Sequence, residues 1–247
     1  KYWGLEDTTF YRGKVQETIY EYDYTNTCVT EIVKAGFITV SPSVSSNSSP
    51  EEYSFETGIG NDWTVADNSA EESIWTNVNG SYSGFEWSNG SLVVNNFERV
   101  KVGVIGGYTE IVSKSFNLSN FSTPAIKFSW AGAALNTFPT NEITVHYSTN
   151  CGENWLSLGT LDPVTTSRAG YIATNFVPNE NDWLDTVLTK NALKNNNIKF
   201  KIAYSAGTTA HNNIYIDNIK IGEASSLLND NNNSISQKVS VFPNPLD

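Results

Sequence analysis

Cysteine and histidine are the first residues in this chain that could make or break bonds. Cys151-Gly-Glu-Asn-Trp155 has the spacing found around some cysteine nucleophiles, and His211 stands downstream as a candidate base. A nucleophilic thiol needs a helix N-terminus or a cation to lower its pKa, whereas Cys151 follows an alternating segment and sits at a turn. The tip of a hairpin is its expected place. His146 falls on the Thr144 and Ser148 side of that segment, where a half-exposed imidazole without catalytic duty is expected. No Gly-x-Ser-x-Gly, Gly-x-Gly-x-x-Gly or Walker-type loop occurs, so neither nucleophile-elbow hydrolysis nor phosphate cradling has a starting point. Cys28 is the other cysteine, and the two form one bridge or none.

Two further residue types suggest binding rather than catalysis. In Ile214-Tyr-Ile-Asp-Asn-Ile-Lys-Ile221 both alternating registers are otherwise apolar, and one places Asp217 beside Tyr215, Ile219 and Ile221. A carboxylate on a core face needs a cation or several N–H donors. Trp87, in Gly84-Phe-Glu-Trp-Ser-Asn-Gly90, and Trp183, in Asn181-Asp-Trp-Leu184, stand in polar loop contexts. An exposed indole there could stack on a sugar ring; the alternative is ordinary packing. Trp63, Trp75, Trp130 and Trp155 lie beside apolar residues at strand spacing and are expected in core or edge packing.

The elements that must position these groups are strands. Ile198-Lys-Phe-Lys-Ile-Ala-Tyr204 puts Ile198, Phe200, Ile202 and Tyr204 on one face and lysines on the other, and Ala125–Trp130 and Ile143–Tyr147 follow the same period. Turn signals separate them at Asn79-Gly80, Asn89-Gly90, Gly106-Gly107 and Asn150-Cys151-Gly152. Trp183 to Lys194 is the one helix-like stretch, and its β-branched Thr186, Val187 and Thr189 favour strand plus loop. The pattern predicts an all-β, two-sheet antiparallel sandwich.

Composition narrows the function classes. Among 247 residues there are 26 acidic against 15 basic side chains, a net charge of −11, without a basic run. Nucleic acid is therefore excluded as a partner. No apolar stretch reaches the roughly 18 residues of a membrane span. Aromatic content of 13% is too high for a disordered chain. The Ser/Pro-rich run 41–50 is expected to be a linker, residues 1–40 a partial β segment too short for the roughly 100 residues of an Ig-like sandwich, 51–224 the main sandwich, 225–237 a second linker and 238–247 the start of another unit. The chain is thus expected to be an internal piece of a longer, secreted precursor.

Ser54-Phe-Glu-Thr-Gly58, Asp62-Trp-Thr-Val65, Tyr147-Ser-Thr-Asn-Cys-Gly-Glu-Asn-Trp155, Phe176-Val-Pro178 with Trp183, and Asn213-Ile-Tyr-Ile-Asp-Asn-Ile219 together resemble a jelly-roll module of secreted Bacteroidota proteins. That module is similar to the MAM domain and commonly follows pappalysin-type (cytophagalysin) zinc metallopeptidases. Gly36-Phe-Ile-Thr-Val40 resembles the last strand of a polycystic-kidney-disease-type Ig-like domain, and Val239-Ser-Val-Phe-Pro-Asn-Pro245 the opening of a type IX sorting domain. The resemblance implies a non-catalytic accessory or adhesion module, left at the cell surface or released, with the type IX translocon as partner and a glycan or surface protein as ligand. A parent peptidase would carry His-Glu-x-x-His; His146 and His211 lack that spacing. In related carbohydrate-binding modules a first-strand glutamate and a last-strand aspartate hold a structural calcium ion. The matching positions are Glu56 and Asp217, with loop carbonyls of Thr57 to Asn61 completing an oxygen shell; otherwise Glu56 is solvated and Asp217 bonds a turn. Asp185-Thr186-Val187 resembles the short O-glycosylation motif of Bacteroidota.

Overall fold

The computed structural model describes residues 3–11, 14–21, 50–67, 75–79, 90–101, 103, 106–135, 141–162, 167–207 and 209–229. Strands β1 (Trp3–Tyr11) and β2 (Lys14–Glu21) pair as an antiparallel hairpin. The remainder of the expected Ig-like segment, the linker over 41–49 and the expected sorting segment 238–247 lie outside the described residues.

Eleven further strands make two antiparallel sheets. They are β3 (Glu51–Tyr53), β4 (Trp63–Asp67), β5 (Thr76–Asn79), β6 (Gly90–Val94), β7 (Tyr108–Ser113), β8 (Pro124–Gly132), β9 (Glu142–Ser148), β10 (Leu156–Leu161), β11 (Leu184–Thr189), β12 (Lys199–Ser205) and β13 (Ile214–Glu223). One sheet runs β10-β9-β12-β7-β4; the other runs β11-β8-β13-β6-β5, with β3 paired to β13. The expected all-β sandwich is what forms. Trp183 to Lys194 resolves into β11 and a single 3-10 turn, Asn191–Leu193, as its β-branched residues required.

Alternation explains the core. Ile143, Val145, Tyr147, Phe200, Ile202 and Tyr204 of the five-stranded sheet meet Ile126, Phe128, Trp130, Ile214 and Ile216 of the other. Each such side chain contributes about 1.5–3 kcal/mol on burial. The six-stranded sheet is covered on its second face as well: every residue of β8 is buried. Residues 167–183 cross that face, where Phe176 and Trp183 pack on Val93, Ala131, Ala133 and Tyr215. Tyr215 donates its hydroxyl to the Phe176 carbonyl at 2.9 Å, and Asn212 donates to the carbonyls of Ile172 and Thr174 at 2.9 and 2.8 Å. These bonds hold the crossing loop down.

One boundary differs from expectation. The linker expected from residue 225 opens instead as a short helix, α1 (Ala224–Asn229), which buries Leu227 against the sandwich. The Asn89-Gly90 signal falls, as expected, where one strand gives way to the next: Gly90 opens β6 and is itself buried. A Cβ there would stand 2.3 Å from the Phe55 carbonyl oxygen, so Gly90 serves close approach of two backbones.

Candidate binding face

The hairpin tip between β9 and β10 is built by its own polar side chains. Ser148 Oγ donates to Asn150 Oδ1 at 2.8 Å and accepts the Gly152 N–H at 2.8 Å, while Asn150 Oδ1 accepts the Asn154 N–H at 3.0 Å. Cys151 and Gly152 take positive φ values of 64° and 94°, which reverse the chain. A Cβ on Gly152 would lie 3.3 Å from the Trp155 ring, so the glycine leaves room for the indole over the turn. Trp155 then spreads across the outer side of the five-stranded sheet, with Lys201 Nζ 4.7 Å from its ring centroid.

The ladder registers line up that outer side. Thr64, Val112, Lys201, His146 and Ser157 form one row across the strands. Glu110, Ala203, Thr144 and Thr160 form the next, and Tyr108, Ser205 and Glu142 the one beyond. Lys201 Nζ meets Glu110 Oε2 at 3.3 Å, and Tyr108 donates its hydroxyl to the same oxygen at 2.7 Å. A continuous strip therefore runs Trp155, Lys201, Glu110, Tyr108.

Its electrostatics are those of a recessed surface. The Lys201 and Glu110 side chains are only 13% and 14% exposed, too little for long side chains standing on an open sheet. Burial raises the Tyr108 phenol well above its ordinary value, reinforced by the hydrogen bond to Glu110 and its charge. Burial lowers the ammonium of Lys199, the next outward residue of β12. Burial and the Lys201 charge lower His146, against the opposing pull of Glu110 and Glu142, so the imidazole is neutral at pH 7. Its Nδ1 is shielded from solvent and has no hydrogen-bond partner among the described residues.

Comparison with solved structures places this architecture. No protein-family model matches the chain, and no curated protein matches its sequence. The K1 cleaved adhesin domain of Lys-gingipain from Porphyromonas gingivalis W83 superposes with a TM-score of 0.52 at 19% identity, covering 71% of this chain and 98% of the domain. The K2 cleaved adhesin domain of Lys-gingipain gives 0.51 at 13% identity, covering 72% of this chain and 100% of that domain. This chain shares their fold. A carbohydrate-binding module from Caldicellulosiruptor saccharolyticus, CBM27-1 in complex with mannohexaose, superposes at 0.47 and 11% identity over 70% of this chain and 97% of the module.

Against this frame the sequence-derived site residues fall into three groups. Trp183 is corrected outright: at 1% exposure it is the core of the second apolar cluster, 6.4 Å edge-on to Tyr215, and cannot receive a sugar. The polar flanks of Trp183 are surface turns of a loop whose indole points inward. Thr186 is likewise unsuitable for glycosylation, because its buried oxygen accepts the Trp130 indole N–H at 3.1 Å. Trp87 lies outside the described residues.

Cysteine chemistry forms the second group. Cys151 is disulfide-bonded, so it is not a free thiol; its expected partner Cys28 lies outside the described residues. His211 cannot serve Cys151 as a base. Cys151 lies beyond the Lys199 end of β12 and His211 beyond the Ser205 end, with the whole strand between them. Burial pushes His211 down to about 4, offset in part by a hydrogen bond with the Ala206 backbone. The unfolded chain, with an ordinary imidazole near 6.5, takes up a proton first as pH falls. His211 thus favours the folded state above about pH 6.5, and that contribution is lost between there and about pH 4. In urea unfolding series over that interval, His211→Gln is expected to lose stability less steeply than the parent; equal slopes would refute this.

Glu56 and Asp217 make the third group. Asp217 is fully buried on β13 and accepts the Asn218 N–H at 2.7 Å. β3 and β13 pair with Tyr53 opposite Ile219, and the half-buried Glu56 follows three residues after that last paired position. Phe55 at φ 55°, Gly58 at 112° and Gly60 at 74° curl the intervening loop back on itself. No cluster of three or more His, Cys, Asp or Glu capable of holding a metal exists among the described residues.

The strip itself was missed by sequence reasoning. Trp155 was assigned to packing, and Tyr108, Glu110, His146 and Lys201 are too far apart in the chain to suggest one another. The one available signal was the outward period of Lys199 and Lys201 opposite an apolar face.

Proposed function

We propose that this chain is a non-catalytic adhesion or accessory module of a secreted, cell-surface multidomain protein. The observation that carries this reading is the two-sheet sandwich, which spans almost the full length of two domains described as cleaved adhesin domains. The engaged sulfur of Cys151 and its separation from His211 agree with it. Among the described residues no helix is long and apolar enough to cross a membrane. The finer context is export by type IX secretion, with residues 238–247 opening the sorting domain that engages the translocon, from the C-terminal region of a zinc metallopeptidase. That context rests on the motifs Val239–Pro245 and Ser54–Gly58. The alternative is a carbohydrate-binding or cell-surface adhesion module of a non-peptidase protein, favoured by the aromatic and hydroxyl-bonding strip on the outer sheet face. The test is to immobilise the purified chain over panels of glycans and surface proteins while assaying peptidase, esterase and glycosidase substrates. Retention of a ligand without turnover is expected. Turnover that disappears in Cys151→Ala would end this reading.

A structural calcium ion is part of the proposal. Asp217 is a fully buried carboxylate on β13, and Glu56 is a half-buried one three residues beyond the strand that pairs with β13. Two carboxylates and the Thr57–Asn61 carbonyls are the hard oxygen donors that calcium takes. Bound there, the ion would tie the first strand of the sandwich to the last. At a calcium concentration about 100 times Kd the gain is about 2.7 kcal/mol, so EGTA is expected to lower the melting midpoint by roughly 5–10 °C. Asp217→Asn should abolish the difference; an unchanged midpoint in the parent removes the ion from the account.

A further inference from the structure

We infer that the outer face of the five-stranded sheet binds a neutral oligosaccharide, stacked on Trp155 at one end and Tyr108 at the other, with Glu110, Lys201 and His146 between them as hydroxyl partners. The inference deepens, and rests on, the reading of the chain as a binding module.

Charge selects the ligand. The chain carries −11 overall, yet this face sets Lys199 and Lys201 against Glu110 and Glu142, with a neutral His146 among them. The balance leaves no excess charge to attract an ion of either sign. It leaves polar groups fixed in place by mutual contact.

Hydrogen bonding selects it further. Glu110 Oε2 already accepts from Tyr108 and meets Lys201, while Oε1 has no partner among the described residues. His146 Nδ1 is shielded from solvent and has no partner among the described residues, which costs free energy and leaves its imidazole polar and unsatisfied beside the strip. A sugar hydroxyl donates and accepts at once, so one ring can bridge a carboxylate oxygen and an ammonium or imidazole nitrogen. The row residues Thr64, Thr144 and Ala203 have small side chains, so none of them stands up between Trp155 and Tyr108.

Spacing sets the size. Val112 lies opposite Lys201, and Tyr108 is four residues further along β7. The backbone positions of Lys201, under the Trp155 ring, and Tyr108 are therefore about 14 Å apart. That exceeds one pyranose ring and suits a short chain of them. A protein partner would want a wider apolar surface, and the strongly exposed Tyr171 and Val177 belong to the loop crossing the other sheet.

The probe is a panel of neutral tetra- to hexasaccharides of gluco-, manno- and xylo-configuration, titrated calorimetrically into the full chain. At least one is expected to bind. Trp155→Ala should weaken it about tenfold or more and Trp155→Phe far less, while Glu110→Gln should weaken it about fivefold. Melting midpoints within a few degrees of the parent would show that the variants fold. Unchanged affinity in both Trp155→Ala and Glu110→Gln would overturn the site while leaving a binding module with its ligand elsewhere. Failure of the whole panel, in a chain that still captures an immobilised surface protein, would overturn the ligand class alone. Failure to bind any glycan or protein would take the parent reading with it.

Discussion

Trp183→Ala is expected to lower the stability of the folded chain by about 3–5 kcal/mol and to leave saccharide affinity unchanged. The indole is at the centre of the apolar cluster on the second face of the six-stranded sheet, edge-on to Tyr215 at 6.4 Å and 70°. Phe176 holds Tyr215 from another side at 5.9 Å. Truncation removes the transfer energy of the ring and leaves a cavity whose walls, β8 and β13, are fixed by ladders on both sides and cannot collapse into it. The loop over 167–183 would then rest mainly on its hydrogen bonds from Asn212, Asn213 and Tyr215. Urea unfolding provides the number. A loss below about 1 kcal/mol would place Trp183 among ordinary surface substitutions and return it to candidacy as a sugar platform.

Gly90→Val should be nearly as damaging for the opposite reason. A Cβ at Gly90 meets the Phe55 carbonyl oxygen at 2.3 Å, the Phe55 carbonyl carbon at 2.7 Å and Glu56 Cα at 2.8 Å. All three are backbone, so no rotamer change relieves the overlap. Nor can Phe55 yield easily, because its carbonyl accepts from Asn77 Nδ2 at 2.7 Å and from the Gly58 N–H at 3.2 Å. Overpacking of this kind costs about 3 kcal/mol or more, which should lower the melting midpoint by roughly 10 °C. Because Glu56 moves with Phe55, the response to EGTA should shrink as well. A midpoint within a couple of degrees of the parent would show that the two segments are not packed as described.

Much of the fold was legible in the chain because strand period is a local property. Ile198, Phe200, Ile202 and Tyr204 were assigned inward from alternation alone, and all four are fully buried. Trp63, Trp75 and Trp130 likewise followed their apolar neighbours into the core. Asp217 was picked out because both registers of its strand were apolar, which reflects a sheet covered on two faces. Trp183 was misjudged because polarity along a loop says nothing about which way a side chain turns when that loop lies across a sheet. The close backbone approach at Gly90 was not legible, because the requirement it meets comes from Phe55, thirty-five positions earlier.

The sequence by itself determined an all-β, acidic chain with alternating strands, a hairpin tip at Cys151 and no assembled catalytic motif, since residue type, period and turn chemistry act over a few neighbours. Only the tertiary structure decided that the six-stranded sheet would be covered on its second face as well. It also decided that Trp155, Lys201, Glu110 and Tyr108 would share one strip. Strand order and register join residues from β7, β12 and the tip before β10, and those long-range pairings follow from the packing of the whole core rather than from any short segment.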